Sequence, residues 1–127
     1  MKKTILCFDI DSTICKTVGN NYHQAKPFKN KIKKLNDLYE NGYYIKIFTA
    51  RYMGRCNDDI KCAKKKGFLK TKNQLNKWKV KYHELIMGKP SFDILIDDKS
   101  LDFKKDWLIN LDQKLKNKIK VLKNNKC

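Results

Sequence analysis

Six polar residues stand where short apolar runs end. Asp9 and Asp11 close "ILCFDID", Thr49 closes "YYIKIFT", Asp97 and Asp98 close "FDILIDD", and Lys89 follows "ELIMG" eight residues before Asp97. Apolar runs of this length read as buried strands, so carboxylates at their ends meet surroundings that make charge costly unless something compensates it. Residues i and i+2 of an extended chain point to the same side, so Asp9 and Asp11 converge while Ile10 faces away. Four carboxylates around one point repel unless some protonate or a cation enters. An all-oxygen cluster suits Mg²⁺, which keeps several waters and takes one or two carboxylates together with a substrate phosphate. Lys89 supplies a further positive charge.

The elements that must position these residues alternate between strand and helix. Thr4 to Ile10 reads as a strand, and Pro27 opens a helix with Ile32, Leu35 and Leu38 on one face, closed by Gly42. "YYIKIFTA" is a second strand. Asn57 or Asp58 starts a short helix that Gly67 closes, and "TKNQ" at Thr71 to Gln74 has capping-box spacing for another helix containing Leu75, Trp78 and Tyr82. "ELIMG" and "FDILIDD" are two more strands, and the lysine-rich tail from Lys104 contains an amphipathic helix. The pattern predicts an α/β fold: one Rossmann-like domain over residues 1–127, a parallel sheet with helices on both faces and its active site outside the carboxyl ends of the strands.

In order and in place, "DIDST" at Asp9 to Thr13, "FTAR" ending at Arg51, "GKP" with Lys89 and "ILIDD" ending at Asp98 resemble the four motifs of the haloacid dehalogenase-like (HAD) phosphatase superfamily. The short chain and "HELIMGKPSFDILIDDKS" look most like its small capless members associated with capsular polysaccharide biosynthesis. The resemblance implies a Mg²⁺-dependent phosphatase acting on a sugar phosphate or sugar-linked phosphate through an aspartyl-phosphate. By the same resemblance, Asp9 is the nucleophile, Asp11 the general acid and base, Thr49 a hydrogen-bond donor to the phosphoryl group, and Lys89 its counter-charge. Mg²⁺ would be held by Asp9, the Asp11 carbonyl and Asp97, with Asp98 in contact or just behind. Thr13, Arg51 and Arg55 are candidate substrate contacts. Where the superfamily commonly has glycine after the second aspartate, this chain has Ser12. The intervals that carry cap domains in such proteins span 35 residues (Ile14 to Phe48) and 39 residues (Ala50 to Gly88), and the predicted elements consume most of both. No cap domain is expected, which leaves an open mouth that a second copy in a homo-oligomer can cover.

The net charge of +17 raises nucleic acid as a partner, but 28 lysines beside 12 asparagines also fit a general Lys and Asn bias. The densest cluster, "KCAKKKGFLKTK", lacks the regular aromatic interleaving of a single-strand-binding groove and reads as a solvated helix face. Two competing functions follow: a nucleotide or nucleic-acid end phosphatase on the same fold, and a basic nucleic-acid-binding protein with vestigial motifs. The two arginines, Arg51 and Arg55, both lie within six residues after Thr49, where a planar fork suits bidentate recognition of a substrate anion. His23 and His83 lack ligand-spaced partners and read as surface or satisfied histidines; Trp78 and Trp107 read as core. Five cysteines without a C-x-x-C pair predict free thiols in a cytoplasmic protein, with Cys7 packed in the first strand. No apolar run approaches the roughly 20 residues that span a bilayer, so no membrane partner is expected.

Overall fold

The computed structural model describes residues 3–101 and 107–124, with side chains as far as residue 119. The chain divides into two compact units, Met1–Asp93 and Ile94–Cys127.

The first unit runs β1 (Ile5–Phe8), β2 (Cys15–Lys16), β3 (Lys26–Pro27), α1 (Lys29–Glu40), β4 (Tyr44–Thr49), α2 (Ile60–Lys77) and β5 (Glu84–Met87). β1, β4 and β5 form a parallel sheet in that order, with Phe8 opposite Ile47 and Ile47 opposite Leu85. Parallel neighbours need a crossover, which α1 and α2 provide. The architecture is α/β and Rossmann-like, with helices flanking the sheet. The 35- and 39-residue intervals are filled by these elements and two short 3₁₀ turns, Tyr22–Gln24 and Gly54–Cys56.

Alternation along β4 explains its position. Ile45, Ile47 and Thr49 are fully buried on one side, while Tyr44, Lys46 and Phe48 are half-buried on the other. α1 contributes Ile32, Leu35 and Leu38 to the core. It ends as the sequence predicts: Gly42 takes φ +93°, its N–H donates to the Tyr39 carbonyl, and the Tyr43 N–H donates to that of Leu38. Those two bonds satisfy carbonyls that the helix end would otherwise leave unpaired.

Two expected helices are one. α2 runs unbroken through Gly67 and "TKNQ" to Lys77, capped at its start by Asp59, whose carboxylate accepts from the Cys62 N–H. Gly67 does not end the helix but serves another purpose: a Cβ there would lie 2.1 Å from Cδ2 of Tyr52. Tyr52 packs with Met53, Ala63 and Met87 in the core under α2, so the glycine admits an aromatic ring against the helix backbone. Trp78 is the half-buried C-cap of α2 and Tyr82 lies beyond it.

The expectation of free thiols is corrected at one pair, because Cys56 and Cys62 form a disulfide across a Cα–Cα distance of 5.8 Å. Between them Asn57 and Asp58 both adopt left-handed conformations, reversing the chain from the 3₁₀ turn into α2 and bringing the two cysteines together. Cys15 is a buried free thiol. Cys7, expected to pack in β1, is exposed, and Cys127 lies outside the described residues.

In the second unit α3 spans Trp107–Asn124, with Trp107 and Leu111 buried. The predicted strand over Phe92 to Asp98 is not formed, and Ile94 and Ile96 are 80% and 94% exposed. Among the described residues this segment has no ladder partner, and a strand exists only where its backbone groups are paired. No helix among the described residues is long and apolar enough to cross a membrane.

Candidate active site

Asp9 follows the last residue of β1 and is anchored by its own loop: one carboxylate oxygen accepts from the Ile10 N–H at 2.8 Å. The other lies 3.5 Å from Lys89 Nζ. Lys89 reaches it because the Lys89 N–H donates to the Thr49 carbonyl at 3.1 Å, fixing the chain just beyond β5 against the end of β4. Its ammonium also lies 5.4 Å from the centre of the Phe92 ring. Burial pushes the Asp9 carboxyl above the usual range, while the Lys89 charge and the Ile10 N–H pull it down and the Asp11 charge adds to the rise. The sequence-predicted partners Asp9, Thr49 and Lys89 are thus brought to one end of the sheet.

Asp11 is held differently. Arg51 grips it with Nε, 3.0 Å from one carboxylate oxygen and 3.2 Å from the other, and with Nη2 at 2.9 Å. The Thr17 hydroxyl donates to the same carboxylate at 2.5 Å. Nη1 of Arg51 donates to the Gln74 side-chain carbonyl at 2.6 Å, and Gln74 Nε2 in turn donates to the Tyr22 carbonyl at 2.7 Å. Arg51 is 2% exposed. The expectation that its fork lies open at the mouth for a substrate anion is therefore corrected: an internal carboxylate and an amide occupy it. Two arginine hydrogen-bonding edges satisfied from within is what burying a guanidinium requires.

Thr49 is fully buried, and its hydroxyl accepts from the Arg51 N–H at 3.1 Å. Its O–H is enclosed, so it reaches an incoming oxygen only when the residues around it part. Thr13 lies in the tight turn after β1, where its N–H donates to the Ile10 carbonyl. Ser12 precedes it at φ +67°, the left-handed conformation that glycine adopts without steric cost. Arg55 lies apart from the Asp11 pair. Its Nη2 donates to the Asn20 carbonyl at 2.8 Å, and its guanidinium carbon is 5.5 Å and 5.1 Å from the Tyr22 and Tyr52 ring centres.

Asp97 and Asp98 belong to the second unit and lie at a turn rather than at a strand end. Asp97 accepts from the Lys99 N–H at 3.1 Å, and that bond is the leading cause holding its carboxyl below the usual range. Among the described residues no group of three or more His, Cys, Asp or Glu side chains is arranged to hold a metal ion. Within the first unit Asp9 and the Asp11 carbonyl are oxygen donors, the hard type that Mg²⁺ takes.

Sequence reasoning missed Thr17 and Gln74, which complete the Asp11–Arg51 pair. Gln74 was legible only as the end of a capping-box pattern, and nothing in its spacing from Arg51 marks the contact. His83 is a structural histidine, as read: its ring stacks on Tyr39 and Tyr44, and Nδ1 accepts from the Ile45 N–H.

No protein-family model matches the chain, and a search of curated proteins returns no match. Among solved structures the chain is similar to the crystal structure of a protein from Vibrio cholerae, with a TM-score of 0.73 at 23% identity, over 87% of this chain and 98% of that one. At that identity the likeness establishes the fold.

Proposed function

We propose that the protein is a phosphatase that hydrolyses a phosphate monoester of a sugar or sugar-linked metabolite through an aspartyl-phosphate on Asp9. The observation that carries this reading is the placement of Asp9, Lys89 and Thr49 together at the carboxyl end of a parallel sheet, with Lys89 Nζ 3.5 Å from the Asp9 carboxylate. Sheets of this kind place ligands there.

In this mechanism Lys89 and the Thr49 hydroxyl draw the phosphoryl group to Asp9, whose oxygen on the Lys89 side attacks phosphorus as the ester P–O bond breaks. Asp11, which pairs with Arg51 as a carboxylate, must first exchange that pair for a proton from solvent; it gives this proton to the leaving oxygen and then removes one from the water that hydrolyses the aspartyl-phosphate. Mg²⁺, an expectation of the sequence resemblance, would be held within the first unit by Asp9 and the Asp11 carbonyl and would neutralise phosphate charge. A place in capsular polysaccharide biosynthesis and in the cytoplasm belongs to the same proposal.

The test is phosphate release from a panel of sugar phosphates and 5′- and 3′-phosphorylated oligonucleotides, with Mg²⁺ and with EDTA. Wild-type protein should release phosphate from a sugar phosphate only with the metal. Asp9→Asn should lower turnover by about three orders of magnitude or more, since it removes the nucleophile. A folded Asp9→Asn protein with comparable activity sinks the mechanism.

A further inference from the structure

On the Arg55 side of the Tyr22 ring the first unit holds a cleft of about 390 Å³, lined by Tyr22, His23, Tyr52, Arg55 and Lys70 together with Asn20 and Asn21. That volume is within the range of small-ligand sites and suits a monosaccharide. Its lining contains no acidic side chain. Neither Arg55 nor Lys70 has a carboxylate partner among the described residues, in contrast to Arg51, whose charge Asp11 neutralises. The Tyr22 ring joins the two regions: its centre lies 4.8 Å from the guanidinium carbon of Arg51 and 5.5 Å from that of Arg55. Tyr52 meets Tyr22 at a tilted 5.1 Å and is held in place by the Gly67 gap in α2.

We propose that this cleft binds a second anionic group of the substrate. The substrate class is then a sugar-sized phosphate monoester that also carries a carboxylate or a second phosphate. Arg55, braced by the Asn20 carbonyl and by both tyrosine rings, is the anion's main partner, and Lys70 adds charge from α2. The tyrosine rings and the asparagine amides offer the apolar and polar surfaces that a sugar ring presents in turn. The cleft's role rests on the phosphatase reading for the location of the reacting phosphate, whereas its preference for a second anion can be measured without turnover.

The experiment compares glucose 6-phosphate with 6-phosphogluconate, an open-chain carboxylate, and with glucose 1,6-bisphosphate, which keeps the ring and adds a second phosphate. Binding to Asp9→Asn protein in Mg²⁺ is measured by titration calorimetry and by NMR of the Tyr22 and Tyr52 ring signals. At least one of the two ligands with a second anion should bind about 10- to 100-fold more tightly than glucose 6-phosphate, as expected for a charge-assisted hydrogen bond, and should shift both ring signals. Which ligand gains identifies the anion as carboxylate or phosphate. In Arg55→Gln and in Lys70→Gln, each checked for native thermal unfolding, that preference should shrink, to within threefold in Arg55→Gln. Phosphate release by wild-type protein is scored separately, so a preference without turnover supports the cleft and counts against the phosphatase reading. Three ligands bound within threefold of one another, a preference that survives both substitutions, or no binding by any ligand overturns the proposal and leaves phosphate release to be judged on its own.

Discussion

Asp9 is a carboxylate kept where its charge is disfavoured, and stability should record that. Burial raises its folded pKa above the unfolded value, so the stabilising contribution of this group is fully present below the unfolded pKa and is lost as pH rises through the folded one. In metal-free protein Asp9→Asn should therefore match wild type at acid pH and become the more stable of the two as pH rises to neutrality. Urea unfolding in EDTA across that range checks it, and a less stable Asp9→Asn at neutral pH contradicts the account. The second ion pair makes the opposite statement. Arg51 and Asp11 have side chains 2% and 26% exposed, so removing the arginine strands a carboxylate that water reaches only in part. Arg51→Ala should cost about 3 kcal/mol in urea unfolding. A loss below about 1 kcal/mol, typical of an exposed pair, would show that water already solvates the pair.

At the level of elements, α2 is the piece on which both the site and the cleft lean. It supplies Gln74 to Arg51, Lys70 to the cleft and, at Gly67, the gap that seats Tyr52. Gly67→Ala sets two effects against each other. Helix propensity favours alanine by about 1 kcal/mol, but the new Cβ would fall 2.1, 2.3 and 2.9 Å from three Tyr52 ring atoms. Tyr52 is buried against Met53, Ala63 and Met87, so the ring cannot simply swing away, and overpacking of this kind costs about 1–3 kcal/mol. Gly67→Ala should lower the melting temperature, and a gain would mean that propensity outweighs the clash. The disulfide between Cys56 and Cys62 ties the start of the same helix to the turn carrying Arg55. The C-terminus of α1, by contrast, is set by local chemistry and was legible from Gly42, whereas its start at Lys29 follows the short strand that contains Pro27.

At the scale of the whole molecule the net charge sets the electrostatic expectation. A chain of 127 residues with a net +17 repels itself when folded, and ion pairs such as Lys33–Asp37 and Lys81–Glu40 lie on the exposed surface. Salt that screens exposed charges should relieve more repulsion than it removes attraction. The melting temperature should rise between about 10 and 300 mM NaCl, ionic strengths over which the Debye length shrinks from about 30 Å to below 10 Å. A fall would show that specific ion pairs outweigh the net repulsion. The same charge gives sequence-independent attraction to polyanions, so affinity for a nucleic acid must be read with its salt dependence before it counts as function.

The sequence by itself determined what local rules govern. Short apolar runs specified β1, β4 and β5, a period near 3.6 with Gly42 specified α1, and the runs ending in Asp9 and Thr49 marked the end of the sheet where ligands bind. Partners distant in the chain were decided only by tertiary structure. That Arg51 turns inward to Asp11 and Gln74, 40 and 23 residues away, depends on where α2 lies, and no local pattern carries that information. Gly67 reads locally as a helix end, yet the helix runs through it with Ala63, Thr71 and Leu75 buried on the same face, and the missing Cβ makes room there for a ring from another segment. Phe92 to Asp98 has the composition of a strand, but strand structure is a pairing between segments, and composition can propose one side of it only.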